Sequence, residues 1–225
     1  MGSYPNQWSW SDSVELLHGL LDRGGLVGFP TESSYAIGAD PTSSKGVEAV
    51  FRSKRREPEK PLPVVLGNLD QLRNLGGDPD HSVLRRIEQL WPAPLTVVVP
   101  IERPLAATCG SRWLAVRVPA HDKLRDLLTR LGRTLTATSA NLSGHEPVSD
   151  PEMLGEILDN EASLIIDDGI LPGGQPSTII KLESDAIAVL RLGAYPTDQL
   201  GDSLMMPVFS AGAAEIPADD SLEAR

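Results

Sequence analysis

Segments of helical periodicity alternate with runs of β-branched residues from about residue 11 to residue 192, with no internal repeat and no long low-complexity linker. This alternation constrains the fold more than any other feature, because amphipathic helices and apolar strands taken in turn must be layered on one another to bury both. An α/β domain of sheets covered by helices is the arrangement it predicts. Ser11 or Asp12 is placed to cap a first helix, with Glu15 completing a capping box and Leu16, Leu17, Leu20 and Leu21 as its apolar face, which stops at Gly24 and Gly25. LVGF then reads as a buried strand. A second helix, capped at Ser43 or Ser44, carries Val47, Val50 and Phe51 at helical spacing before the strand LPVVL at 62–66.

Further along, LTVVVP (95–100), WLAVRVP (113–119) and TLTATSA (134–140) are β-branched runs bounded by Pro and Gly, and the last two flank the amphipathic segment HDKLRDLLTRLG. Asp150 followed by Pro151 predicts another helix start, and LIID, STIIKL and AIAVLRL supply the last strands. After Pro196 the pattern is lost. The expected organisation is one domain over residues 10–196 and an acidic, mobile tail over 197–225.

With 225 residues the chain can bury a sizeable core, and no apolar run approaches the roughly 18 residues of a membrane span. Cys109 is the single cysteine, so no internal disulfide is expected, and with no secretory leader visible the expectation is a soluble protein of the reducing cytoplasm. Net charge is −11, unlike that of a bulk nucleic-acid binder. Against that total, residues 52–60, RSKRREPEK, hold five basic side chains and two acidic ones. They mark a candidate anion site.

Four segments place polar or glycine-rich residues where a buried strand ends, the usual position of ligand sites in α/β sheets: FPTESSYAIGAD (29–40), SKRREPEKPL (53–62), TSANLSG (138–144) and PGGQPSTII (172–180). Thr31 offers a hydroxyl at a strand terminus, or simply closes an ST-turn. Lys54 and Arg56 can neutralise phosphate oxygens, Lys as a point charge and Arg as a two-pronged donor, or form a solvated basic turn; Pro61 argues for a fixed turn. Ser139, Asn141 and the backbone N–H groups around them match neither a P-loop nor a dinucleotide fingerprint, yet can cradle a phosphate. His18, His81, His121 and His145 lack metal-ligand spacing, so no protein-held metal is expected. Cys109 reads as a packing residue. Asp167 and Asp168, before Gly169, suit a Mg²⁺ ligand, a general base or turn chemistry.

These residues carry a resemblance. FPTESSYAIGAD, AVFRSKRREPEKPL, WPAPLTVVV, LAVRVPAH, TATSANLSG, PSTII and VLRLGA follow the order and spacing of the YrdC-like threonylcarbamoyl-AMP synthase family over residues 12–196, and Lys54-x-Arg56 with Ser139-x-Asn141 resembles its hallmark tetrad. The resemblance implies one YrdC-like domain, a twisted mixed β-sheet flanked by helices with a concave ligand cleft. It implies synthesis of threonylcarbamoyl-AMP and pyrophosphate from L-threonine, bicarbonate and MgATP, for threonylcarbamoyladenosine in tRNA. By the same correspondence Lys54, Arg56, Ser139, Asn141 and Arg191 contact ATP, Lys54 and Arg56 serving catalysis, while Thr31, Arg117 and Ser177 hold threonine. Partners implied are tRNA or a downstream threonylcarbamoyl transferase, with no membrane.

Departures from the family pattern are Ser33 for Thr, Ala36 for Gly, Leu66 for a threonine-contacting His, Trp113 for Thr and Glu57 for Pro. Ser33 and Ala36 are similar to the YciO-like branch, which lacks the Ser-Ala-Asn element. The alternatives are therefore a YciO-like ATP-binding paralogue and an RNA-binding module. Replacing Lys54 or Arg56 by Ala is expected to abolish turnover and leave thermal stability nearly unchanged, and the acidic tail is a candidate lid over the basic segment.

Overall fold

A computed structural model describes residues 7–55, 60–142, 145–158, 162–183, 185–198 and 200–211. The strands are β1 (Gln7–Trp8), β2 (Leu26–Pro30), β3 (Tyr35–Gly38), β4 (Val64–Val65), β5 (Leu95–Pro100), β6 (Trp113–Arg117), β7 (Leu135–Thr136), β8 (Thr138–Ser139), β9 (Ser163–Ile166), β10 (Thr178–Leu182), β11 (Ile187–Arg191) and β12 (Val208–Ser210). The helices are α1 (Val14–Asp22), α2 (Ser44–Ser53), α3 (Ser82–Glu88), α4 (Asp122–Leu131) and α5 (Leu200–Leu204), with short 3₁₀ segments at Leu69–Leu75, Ala106–Thr108 and Pro151–Glu156. The mixed α/β architecture flanked by helices is as expected, with the strands divided between two sheets. One runs β1-β9-β2-β3-β8 and the other β12-β11-β10-β5-β6-β4-β7.

Local chemistry explains the helix limits. The side chain of Ser13, rather than Ser11 or Asp12, accepts from the Glu15 N–H and starts α1, which buries Leu17, Leu20 and Leu21 and leaves Leu16 60% exposed. Ser43 caps α2 by accepting from Gly46 N–H, and Asp150 caps the turn at Pro151, which continues as 3₁₀ rather than α. α4 begins where His121 Nδ1 accepts from Leu124 N–H, and ends at Gly132 with φ 63°.

The five-stranded sheet is covered on both faces. On one, Val47, Val50 and Phe51 of α2 pack with Ile37 and Ile165; on the other, α1 and α4 pack Leu17, Leu21, Leu124 and Leu128 against Val27, Phe29 and Ile166. The seven-stranded sheet rests one face on α3, α5 and the 69–75 segment, with Leu72, Leu84, Ile87, Val97, Val116, Ile180 and Leu204 as its core. Its other face has a small apolar floor of Val98, Ala115, Ala188 and Leu190. Trp113, Ala115 and Arg117 alternate onto that face along β6.

The run TLTATSA is not one strand. Leu135–Thr136 pairs with β4 in the larger sheet, and Thr138–Ser139 pairs with β3 in the smaller, so the chain crosses between sheets at Ala137. Only glycine fits at Gly38 beside this crossing, because a Cβ there would lie 2.0 Å from the Thr136 carbonyl oxygen.

The ordered domain also extends beyond Pro196. Leu200 and Leu204 of α5 are 0% exposed, Arg86 Nη1 donates to the Leu204 carbonyl at 2.8 Å, and β12 adds in parallel to β11. The tail expected from residue 197 therefore holds a helix and an edge strand, placed by contacts that a five-residue helix cannot announce in sequence. Residues 212–225, where most of the expected acidic lid falls, lie outside the described residues.

Candidate functional site

Helix α2 ends at Lys54, its C-cap residue, and this termination aims the side chain at the turn after β8. Lys54 is 4% exposed. Its ammonium donates to the Ser139 carbonyl, to the Asn141 carbonyl at 3.1 Å and to Asn141 Oδ1 at 2.6 Å. Ser139 Oγ donates to the same Oδ1 at 2.7 Å. The turn is fixed from behind by pairing of Ala36 with Ser139 and by Ala140 N–H donating to the Tyr35 carbonyl. Three of the four residues of the predicted tetrad thus meet, while Arg56 lies outside the described residues. A lysine this buried also holds structure, so the expectation that its loss leaves stability unchanged does not fit the geometry.

Thr31 is buried at the end of β2, where its hydroxyl donates to the Ser34 carbonyl at 2.7 Å and lies 3.4 Å from the Ser33 and Ser34 N–H groups. This is the ST-turn geometry. The turn presents Glu32, whose Oε1 accepts from Arg117 Nη1. Nothing in the sequence marks Glu32 beyond its place next to Thr31 in FPTESSYAIGAD.

Arg117 ends β6 beside a second cluster. Arg191 donates through Nε and Nη2 to the Ser177 carbonyl at 3.2 and 2.8 Å, and through Nη2 to Ser177 Oγ at 3.2 Å. Ser177 Oγ and Thr96 Oγ1 are 2.8 Å apart. Gly193 permits this close approach, since a Cβ there would meet the Pro176 carbonyl oxygen at 2.2 Å. Burial pushes both guanidinium groups below their ordinary values, partly offset by Glu32 at Arg117 and reinforced by the charge of Arg117 at Arg191. Two partly desolvated cations that repel one another favour an anionic ligand, which relieves both penalties.

The four polar segments form one connected surface. The second and third join through Lys54, the first and third through β3 and β8, and the first and fourth through Gly173 N–H donating to the Ser33 carbonyl at 2.9 Å. Of the positions that depart from the family pattern, Leu66 is 0% exposed within the apolar core under the larger sheet, and Trp113 stands on the site face with Lys181 Nζ 4.1 Å from its ring centroid.

Other candidates resolve as structure. Asp168 accepts from Trp10 Nε1 at 2.9 Å and Lys123 Nζ at 2.6 Å, with His121 Nε2 at 3.1 Å, while Asp167 accepts from Gln7 Nε2 and Gly169 N–H. Burial pushes the Asp168 carboxyl up, but its hydrogen bonds outweigh that and hold it below the usual carboxylate range. This pair closes a turn and straps the N-terminal arm to α4. Among the described residues no three His, Cys, Asp or Glu side chains are grouped to hold a metal. No described helix is long and apolar enough to cross a membrane. Surface recesses lined by Gly201, Met205 and Val208, and by Trp10, Lys123 and Arg130, contain none of the expected site residues.

Two sheets meet at a lysine-tied turn in a mixed α/β domain, and Arg117 and Arg191 stand near the apolar floor of the larger sheet. The chain belongs to the Sua5, YciO and YrdC family, whose model, described as "Telomere recombination", matches residues 19–193. Threonylcarbamoyl-AMP synthase of Thiobacillus denitrificans is 34% identical over 173 residues, 76% of this chain and 92% of that protein. The synthase of Pyrococcus abyssi is 31% identical over 189 residues, 83% of this chain but 56% of that protein, so the chain spans little more than half of this longer relative. The crystal structure of P. abyssi Sua5 complexed with L-threonine superposes with a TM-score of 0.78 at 27% identity, covering 91% of this chain and 62% of that one.

Proposed function

We propose that this chain is an L-threonylcarbamoyl-AMP synthase, taking L-threonine, bicarbonate and ATP to threonylcarbamoyl-AMP and pyrophosphate for modification of tRNA. The observation that carries this reading is the joining of Lys54, Ser139 and Asn141 into one turn, tied through the β3–β8 pairing to the segment whose Glu32 accepts from Arg117. In the reaction a carbamate oxygen attacks the α-phosphorus of ATP, a new P–O bond forms, and the bond to the bridging oxygen of pyrophosphate breaks. Two anions must approach each other, so the site needs fixed cations and dipoles more than a strong base.

Lys54 holds the Ser139–Asn141 turn in shape and contributes positive charge to the nucleotide phosphates, with Arg56 assisting. Arg191, oriented by Ser177, supplies a further cation to ATP. The Arg117 fork suits the threonine carboxylate, beside Thr31 and Ser177. Mg²⁺ is proposed to enter with ATP as its counter-ion, held through phosphate oxygens.

Pyrophosphate release measured with and without L-threonine and bicarbonate tests the proposal. Release that depends on both supports it. Release indifferent to threonine sinks it in favour of a YciO-like ATP-hydrolysing protein. Tight, salt-dependent RNA binding without ATP would favour the RNA-module reading, which the net charge of −11 argues against.

A further inference from the structure

Glu32 is an acidic side chain set against Arg117, and it is only half used. Its Oε1 accepts from Arg117, whereas Oε2 is buried and has no hydrogen-bond partner among the described residues. Arg117 also has donors to spare, although among the described residues Glu32 Oε2 alone is a buried side-chain N or O atom without a partner. The Arg117 side chain is 13% exposed, and Nη1 to Glu32 is the only hydrogen bond its guanidinium makes among the described residues. Unmade hydrogen bonds on a largely buried ion pair are costly, so natural proteins rarely keep them without a ligand to complete them.

The two open halves have opposite sign. A soft terminal torsion lets either carboxylate oxygen turn toward an entering group without breaking up the pair. Arg117 offers N–H donors to an anion, and Glu32 offers an acceptor to a cation beside it. A small molecule carrying a carboxylate and an ammonium on one carbon completes both. Arg191 and Lys54 cannot take the Glu32 role, because they add further positive charge.

We propose that Glu32 is the specificity-determining residue that receives the α-ammonium of the amino-acid substrate while Arg117 receives its α-carboxylate. This rests on the synthase reading and extends it. Glu32 holds the nitrogen that becomes the carbamate nitrogen, and it rejects carboxylates that lack an amine there.

Titration calorimetry with L-threonine and with (2S,3R)-2,3-dihydroxybutanoate, which replaces only the amine by hydroxyl, tests it on the wild type, Glu32→Gln and Glu32→Asp. The wild type is expected to prefer threonine by about 10- to 100-fold, the worth of one charged hydrogen bond. In Glu32→Gln threonine affinity falls until the preference is within about threefold, while the dihydroxy acid, needing only Arg117, binds no worse. Glu32→Asp, charged but one methylene shorter, keeps a reduced preference, and it carries the test if the Gln variant does not fold. A preference unchanged in both variants, or both ligands weakened equally, makes Glu32 a mere counter-ion of Arg117 and overturns the inference. If threonine-dependent pyrophosphate release survives that result, the synthase reading stands without it. A wild type that binds neither ligand overturns both.

Discussion

Replacing Lys54 by Met keeps an unbranched four-atom stem and removes the ammonium, which separates two roles that the sequence suggests are one. Among the described residues the ammonium makes three hydrogen bonds to the turn after β8: to the carbonyls of Ser139 and Asn141 and to Asn141 Oδ1. Hydrogen bonds from a charged donor are worth about 1.5–3 kcal/mol each, but three that share one donor do not add. Asn141 Oδ1 also keeps the Ser139 hydroxyl. The expected loss is therefore about 2–4 kcal/mol, which lowers a urea midpoint by roughly 1–2 M for a slope near 2 kcal/mol per molar. Ser139→Ala is the control. Since Lys54 bonds the Ser139 carbonyl and not its hydroxyl, that variant should lose under about 1 kcal/mol. Urea unfolding followed by tryptophan fluorescence reads stability, and calorimetric titration of ATP reads the site. If Lys54→Met unfolds at the wild-type midpoint, the buried ammonium is not what holds the turn and the reasoning fails, whatever happens to ATP binding.

Two further outcomes follow from groups away from the ligands. Tyr35 is fully buried, donates to the Gly169 carbonyl at 2.8 Å and accepts from Asp168 N–H at 3.0 Å, and its burial pushes the phenol from 10 to about 12. Tyr35→Phe should cost about 1–3 kcal/mol at neutral pH. Between pH 10 and 12 the native state keeps a proton that the unfolded chain releases, so this contribution is whole below pH 10 and declines as pH rises toward 12. The gap between wild type and Tyr35→Phe should therefore narrow between denaturation curves at pH 9 and pH 11; a constant gap refutes the account. Truncation after Pro196 exposes the partners of Leu200 and Leu204 and should cost about 3–6 kcal/mol, a fall in Tm of roughly 10 °C or more. An unchanged melting curve would return residues 197–211 to the status of a loose tail.

The parts of the fold legible in sequence are those governed by neighbours along the chain. Ser43 and Asp150 sit where caps must be, because the first N–H groups of a helical turn need an acceptor within two or three residues. The faces of α2 and α4 follow from apolar spacing alone. Leu16 fits a helical stripe equally well but faces water, since periodicity marks a face and not where its covering layer ends. Thr31 shows the same limit in the site. A hydroxyl beside a strand end satisfies an ST-turn or a ligand with the same residue type, and only the Ser34 carbonyl at 2.7 Å shows how it is held.

By itself the sequence determined the alternation of layers, the caps at Ser43 and Asp150 and the chemical character of the candidate site: a lysine, arginines, hydroxyls and an amide gathered at strand ends. Tertiary structure alone decided which of these meet. Lys54 reaches a turn 85 residues away, Glu32 reaches Arg117 across the same separation, and Ala137 divides one β-branched run between two sheets. The physical reason is range. Caps and amphipathic faces are set by interactions within a few residues, whereas strand pairing and buried charge pairing depend on partners that no local pattern encodes.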